Sequence, residues 1–392
     1  MTHQKKPNPA EKVSRALRES MVAYETYANK VRYLVDDDMT AISQVELTAH
    51  TTAAISISHG DLYTLKMNRH TGRRYVEANL AGKALFLTLK SPTSEMLKYF
   101  HAHTLNPYVD VYILAVSQHG VDGMAMYELN THLDDAAQQW VMRMNAFVQT
   151  LRMQTRKPEF KTAIRASQRS CNKNYKNFIT YLKALFQKNG RILGLRADFS
   201  YRKVHNFDQA GSDISYAEAK RHREALVDEI RRRFKGLLLG YVWKFEYGLL
   251  KGYHSHFLIF LDGSKVREDV TIVKMLGEHW RTVLTEGKGA YYNCNARKTS
   301  YRFCGIGELR HDDPEIWQGL KNIATYLTKP DHYVRLNMPD GDRALGKGGP
   351  PKLYAKKKGR PRKSADLSTP PEAQFSITPS VKNGAISARN AG

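Results

Sequence analysis

Gly252-Tyr-His-Ser-His-Phe-Leu-Ile-Phe260 alternates and then runs apolar, the pattern of a β-strand. Side chains i and i+2 leave the same face of a strand, so His254 and His256 project together as two imidazoles able to grip one divalent metal. The preceding apolar run, Tyr241-Val-Trp-Lys-Phe-Glu-Tyr247, carries a carboxylate just before Gly248 and the turn-like Leu249-Leu-Lys-Gly252. An antiparallel hairpin through that turn brings Glu246 close to the histidine pair. Asp198, on an earlier run expected to form the first strand of the same sheet, is an alternative or additional ligand.

A His-x-His pair alone carries little weight. With 15 histidines in 392 residues, about 0.6 such pairs arise by chance, and a second one, His101-Ala-His103, has no comparable strand around it. The pair at 254 and 256 gains meaning from Ile323-Ala-Thr-Tyr-Leu-Thr-Lys329 downstream, which reads as a helix. Asp313 caps that helix, Pro314 suits its first turn and Pro330 stops it. At about 100° per residue, Ile316, Leu320, Ile323 and Leu327 share one narrow stripe, and Tyr326 projects about 80° from it, at the rim of the packed face. Lys329 lies one turn further along the same flank. Pro330 separates Tyr333 from that helix and argues against a paired-tyrosine site.

His-x-His on a strand followed by apolar-x-x-Tyr-apolar-x-Lys on a helix resembles the HUH endonucleases that start rolling-circle replication. Within that superfamily the chain is most similar to replication initiators of filamentous phages and to YagK/YfjJ-type C-terminal domains. The segments that carry the resemblance are Leu195-Arg-Ala-Asp-Phe-Ser-Tyr201, Trp243-Lys-Phe-Glu-Tyr-Gly248, Gly252-Tyr-His-Ser-His256, Tyr291-Tyr-Asn-Cys-Asn-Ala-Arg-Lys298, Gly305-Ile-Gly307 and Tyr326-Leu-Thr-Lys329, within residues 188 to 350. Ser255 departs from the pattern, standing where a bulky apolar residue is usual, but it points away from the ligand face.

The resemblance implies a defined chemistry. A phosphodiester repels nucleophiles, and a divalent cation held by His254, His256 and Glu246 neutralises and orients the scissile phosphate. Two nitrogens and one oxygen suit a labile Mn²⁺ or Mg²⁺. Tyr326 is then the nucleophile, giving a 5′-phosphotyrosyl enzyme and a free 3′-hydroxyl. Lys329 either depresses the tyrosine pKa or contacts phosphate.

Composition suits that substrate, since a net charge of +23 and a pI near 9.7 favour a polyanion. No run approaches the roughly 18 apolar residues of a spanning helix, and the first residues lack the apolar core of a signal peptide. Cys171, Cys294 and Cys304 have neither a zinc-ribbon nor a disulfide spacing. A cytoplasmic, membrane-free protein with reduced thiols is the expectation.

The chain divides by texture. Residues 1 to 20 are polar and read as flexible. Residues 21 to 170 read as an accessory α+β or helical domain without a catalytic constellation, with apolar runs at Ala84–Leu89 and Val109–Leu114 and an amphipathic helix from Asp134 to Met153. Residues 171 to 350 read as the endonuclease domain. Its order is a helix at 175–187, strand 192–199, helix 216–235, the Glu246 and His strands, helix 266–285, short strands near 290–295 and 301–306, and the Tyr326 helix. That order implies an α+β fold, an antiparallel sheet covered by helices on one face in a ferredoxin-like or RNA-recognition-like core, with the ligands on the uncovered face. Arg297, Lys298, Arg302, Arg343 and Lys347 are candidate phosphate contacts.

Residues 351 to 392 carry nine Lys or Arg against Asp366 and Glu372 and few large apolar residues, the composition of a disordered basic tail. Within it Gly359-Arg360-Pro361-Arg362 resembles an AT-hook, a narrow extended segment whose arginines suit an A·T-rich minor groove. The expected function is site-specific nicking of single-stranded or supercoiled origin DNA of a phage, prophage or plasmid. No Walker-type phosphate loop is present, so a host helicase would unwind and a host polymerase extend. Relaxases and transposases share this chemistry, and a non-catalytic DNA-binding regulator is the alternative from another class.

Overall fold

The computed structural model describes residues 37–123, 134–202, 214–249, 251–339 and 341–349, with short pieces between 11 and 34. The tail from residue 351, and with it Gly359, Arg360, Pro361 and Arg362, lies outside the described residues. In chain order the elements are β1 (Ala23–Tyr27), β2 (Lys30–Leu34), α1 (Asp37–Ser56), β3 (Tyr63–Met67), β4 (Arg74–Ala78), α2 (Leu80–Thr88), α3 (Thr93–Tyr99), β5 (His103–Leu105), α4 (Pro107–His119), α5 (Asp134–Arg156) and α6 (Pro158–Lys188). They continue as β6 (Arg191–Tyr201), α7 (Tyr216–Arg233), β7 (Leu238–Gly248), β8 (Gly252–Asp262), α8 (Asp269–His279), β9 (Gly289–Asn293), β10 (Gly307–Arg310), α9 (Pro314–Thr328), β11 (Val334–Leu336) and β12 (Leu345–Lys347). The fold is mixed α+β with antiparallel sheets. No helix among the described residues is long and apolar enough to cross a membrane.

The chain forms two compact units, and the division is discontinuous. Among the described residues, one unit comprises Leu47–Thr93 and Pro107–Ile164, and the other comprises the residues up to Glu46, Ser94–Asn106 and the described residues from Arg165 to Gly349. The first is mainly helical. Leu85, Phe86 and Leu89 of the α2 region, Tyr112 and Val116 of α4, and Trp140, Met144, Phe147 and Leu151 of α5 make its core. The apolar runs at 84–89 and 109–114 are thus helical, and the helix expected from 134 extends to Arg156.

The second unit is built on one antiparallel sheet in the order β10-β6-β8-β7-β12, with β9 also on β6. Helices cover both of its faces, which corrects the expectation of one open face. Leu193, Leu195, Phe199, Phe257, Ile259 and Phe245 pack with Leu226 and Ile230 of α7 and Val273 and Leu276 of α8. On the opposite face Ile192, Val242, Leu258, Phe260 and Leu309 pack with Leu182 and Leu185 of α6 and Leu320 and Leu327 of α9. The continuous apolar run Phe257–Leu261 is the signature of a strand buried on both sides, and all five residues are buried.

Two further boundaries differ from expectation. The strand expected at 301–306 forms at 307–310, because Asn293 Oδ1 accepts from Ala296 N, 3.1 Å away, and starts a 3₁₀ segment over Cys294–Ser300. The helix expected to 285 ends as α-helix at His279 and continues as a π turn over Trp280–Leu284. Gly319 of α9 faces Gly305, and a Cβ on either would run into the other's backbone, so these glycines let the Tyr326 helix close onto the sheet.

Candidate metal and nucleophile site

The β7–β8 hairpin sets the register of the site. Glu246 pairs with His254 and Lys244 with His256 across it, while β6 pairs Asp198 with His256 on the other side. Cross-strand partners share a face, so Arg196, Asp198, His256, His254, Glu246 and Lys244 form one polar island spanning three strands. It continues the face whose other end is the apolar Val242, Leu258 and Phe260. Gly252 holds a positive φ of 65° where the turn enters β8, a conformation that favours glycine.

Glu246, His254 and His256 are all buried, and their ligand atoms lie within 4.8 Å of one another. Glu246 Oε2 is 3.1 Å from His256 Nε2 and 3.5 Å from His254 Nε2. The other nitrogen of each ring is held from behind: His254 Nδ1 lies 3.0 Å from Gly252 O and His256 Nδ1 2.7 Å from Asp198 Oδ1. Two Nε2 atoms and one carboxylate oxygen therefore converge while the Nδ1 sides are anchored. That arrangement suits a metal, whose histidine ligands characteristically use one nitrogen and donate the other N–H to an oxygen. The structure thus sets Asp198 behind the His256 ring and Glu246 in front of it.

The electrostatics follow burial first and charge second. Burial, with the Lys251 cation behind it, pushes His254 down to about 4. Burial also opposes a charged His256, but Asp198 and Glu246 outweigh it and move that imidazole up. Burial pushes the Asp198 and Glu246 carboxyls up, yet both lie below the usual carboxylate range, Asp198 held there by His256 and Arg196 and Glu246 by His256 and His254.

Helix α9 forms as its caps dictate, with Asp313 Oδ1 accepting from Glu315 N at 2.8 Å and Ile316 N at 3.3 Å, and Pro314 in its first turn. It brings Tyr326 into the same island. The hydroxyl lies 3.4 Å from His256 Nε2 and the two rings stand edge-on with centroids 5.1 Å apart. Tyr326 is 6 % exposed and packs inside the core rather than at its rim.

Lys329 takes a different environment. Its ammonium donates to Asn172 Oδ1 and stands 5.2 Å from the Tyr175 ring centroid, both on α6. The cation over the Tyr326 ring is Arg196, whose guanidinium carbon lies 4.4 Å from the centroid. Sequence reading missed Arg196, yet a signal existed: it precedes Asp198 by two on β6 and so shares its face. Lys244 was also missed; it is buried and its Nζ sits 2.5 Å from Asp331 Oδ1.

Among the candidate phosphate contacts, Lys298 is tied to Asp269 at 2.7 Å. Arg297, Arg302, Arg343 and Lys347 are exposed, with Lys347 Nζ 5.1 Å from the Tyr181 ring and Arg302 5.4 Å from the Phe303 ring. Tyr333 is fully buried and sits beyond the 3₁₀ turn Pro330–His332 that ends the helix. Cys171, Cys294 and Cys304 are free thiols.

Comparison with known proteins gives one family. Residues 154–347 match the family model of the YagK/YfjJ C-terminal domain. No curated protein and no solved structure matches the chain significantly.

Proposed function

We propose that this YagK/YfjJ-type segment is a metal-dependent, single-tyrosine DNA nickase of the HUH kind, which starts rolling-circle replication by joining itself to a 5′ end. The observation that carries the reading is that Tyr326, 70 residues from His256, has its hydroxyl 3.4 Å from the imidazole nitrogen that also meets Glu246. A nucleophile, two metal-suited imidazoles and a carboxylate in one buried cluster are what phosphodiester transfer requires. The element order β6-α7-β7-β8-α8-β9 fits the ferredoxin-like core of that superfamily.

His254, His256 and Glu246 would hold a divalent cation such as Mn²⁺ or Mg²⁺, which when bound neutralises and orients the scissile phosphate. Asp198 fixes the His256 ring so that Nε2 faces the cluster. Tyr326 Oη forms a bond to phosphorus while the bond from phosphorus to the 3′ oxygen breaks. The phenolic proton is released and the departing 3′ oxygen takes one up. Arg196, already over the Tyr326 ring, is placed to stabilise the phenolate. The phosphotyrosine conserves the bond energy, so the 3′-hydroxyl can later reverse the step without ATP.

The test is incubation with supercoiled DNA carrying candidate origins and Mn²⁺ or Mg²⁺. Relaxed circles with protein linked at one 5′ end are the expected product. Free 5′-phosphates with no linked protein, or no nicking with any divalent cation, would sink the reading.

A further inference from the structure

The mainly helical unit carries a feature that the nickase chemistry does not use. Strands β3 and β4 pair in full register from Tyr63–Ala78 to Met67–Arg74. The root of this ribbon is fixed. Tyr63 is buried edge-on to Trp140, with centroids 5.1 Å apart, and donates its hydroxyl proton to Gly82 O at 2.7 Å. Asn145 Oδ1 accepts from Leu62 N and Tyr63 N, both at 3.2 Å, and its Nδ2 donates to Tyr63 O at 2.8 Å. The tip is fixed too, since Asn68 Oδ1 accepts from His70 N and Thr71 N, and Gly72 N donates to Asn68 O.

Between root and tip the ribbon leaves the core. Leu65 and Val76 are half-buried, and every residue from Lys66 to Tyr75 is exposed. Three rises from Leu65 to Asn68, where the turn begins, at about 3.3 Å each, make an arm of roughly 10 Å before the turn itself. Residues 64–77 carry Lys66, Arg69, Arg73 and Arg74 against Glu77, a net charge of 4 − 1 = +3. Glu77 is taken by Lys66 at 2.7 Å, and among the described residues Arg69, Arg73 and Arg74 form no ion pair. Met67 and Tyr75 flank them at 64 % and 45 % exposure.

We infer that the β3–β4 ribbon is an arm that docks in the major groove of B-form duplex DNA, with Arg69, Arg73 and Arg74 on the phosphates, and with Met67 on the Arg74 face of the ribbon and Tyr75 on the Lys66 face. A two-stranded ribbon fits the roughly 12 Å width of that groove, and the arm is longer than its roughly 8.5 Å depth. The deep, narrow major groove of A-form RNA does not admit it. A rigid root and a preorganised tip reduce the ordering cost of binding. The choice of DNA over another polyanion rests on the nickase reading, but the test reads binding without nicking, so the two stand or fall separately.

The experiment measures binding of the full chain to a DNA duplex and an RNA duplex of the same sequence across salt, in EDTA. The triple variant Arg69→Gln, Arg73→Gln, Arg74→Gln should lose about tenfold or more in DNA-duplex affinity. Its slope of log affinity against log salt should flatten by about 2 to 3, at about 0.9 per phosphate contact. The matching triple Lys variant should keep most of the affinity, because a point charge suffices for phosphate. Unchanged duplex affinity and slope in the Gln variant would overturn the proposal. So would an equal loss on the RNA duplex, which would reduce the arm to unspecific charge.

Discussion

The sheet-based unit, which takes in Ser94–Asn106 as well as the chain from Arg165, holds two His-x-His pairs in very different settings. His254 and His256 lie on β8 in the interior of the sheet, with Glu246 and Asp198 directly across on the two neighbouring strands. His103 opens β5, a three-residue strand that among the described residues pairs only with β11, and His101 lies in the turn just before it. Their rings stand against Tyr247, at 5.5 Å and 6.2 Å between centroids, and His103 also meets Phe100 edge-on at 5.7 Å. Identical spacing yields a convergent donor set in one place and an aromatic cluster in the other. What separates them is register: a central strand has two neighbours that can each place a carboxylate opposite an imidazole, and a short edge strand does not.

The widest gap is expected for the group the first pair gathers. Tyr326→Phe should bind DNA yet lower the covalent adduct by about a thousandfold or more, read as SDS-stable protein–oligonucleotide complex. Tyr333→Phe should stay within about twofold of wild type and cost about 1 kcal/mol of stability. A Tyr326→Phe protein that still links to a 5′ end would move the nucleophile elsewhere.

Next come the ligands. His254→Ala, His256→Ala and Glu246→Ala should each reduce nicking by about a hundredfold or more and weaken Mn²⁺ binding in calorimetry. His101→Ala and His103→Ala should change neither by more than about threefold. Equal losses from both pairs would erase the distinction drawn from register.

Asp198 sharpens the same distinction at a smaller scale. Behind the His256 ring it positions rather than ligates, so Asp198→Asn should cost about 10- to 100-fold in metal affinity, less than Glu246→Ala. A loss larger than that of Glu246→Ala would exchange the two carboxylates' roles.

Much of this was legible in the sequence. Period-two spacing put both histidines on one face, the short turn put Glu246 opposite, and Asp313, Pro314 and Pro330 bounded α9 within a residue or two. Helical periodicity sets Tyr326 at the rim, because it gives the direction of a side chain from its own axis, not what stands across from it. Here α6 and the sheet close around the helix, and the tyrosine is buried. The same blindness hid Arg196: a lone arginine on an apolar strand looks like an edge or surface residue until Tyr326 arrives from 130 positions downstream. The place of Lys329 one turn further along suits either a cation for Tyr326 or a phosphate contact, and its ammonium donates to Asn172 on α6.

The smallest expected effect uses what the two pairs share. His103 and His254 are both pushed down to about 4, in each case chiefly by burial. A histidine kept neutral in the folded chain but free to protonate in the unfolded one costs nothing above about pH 6.5, the unfolded value. Between there and its folded value the unfolded chain takes up the proton first, and stability falls as pH falls. For His103 that amounts to at most about 3.5 kcal/mol, from roughly 2.5 pH units at about 1.4 kcal/mol each. His103→Gln should therefore unfold in urea with a shallower loss between pH 6.5 and 4.5 than wild type, while nicking at pH 7 is kept. His254→Gln should flatten the same profile, measured with metal chelated, and abolish nicking. If His103→Gln leaves the acid profile unchanged, its imidazole is not held neutral by burial. If it also abolishes nicking, the edge pair belongs to the active site after all.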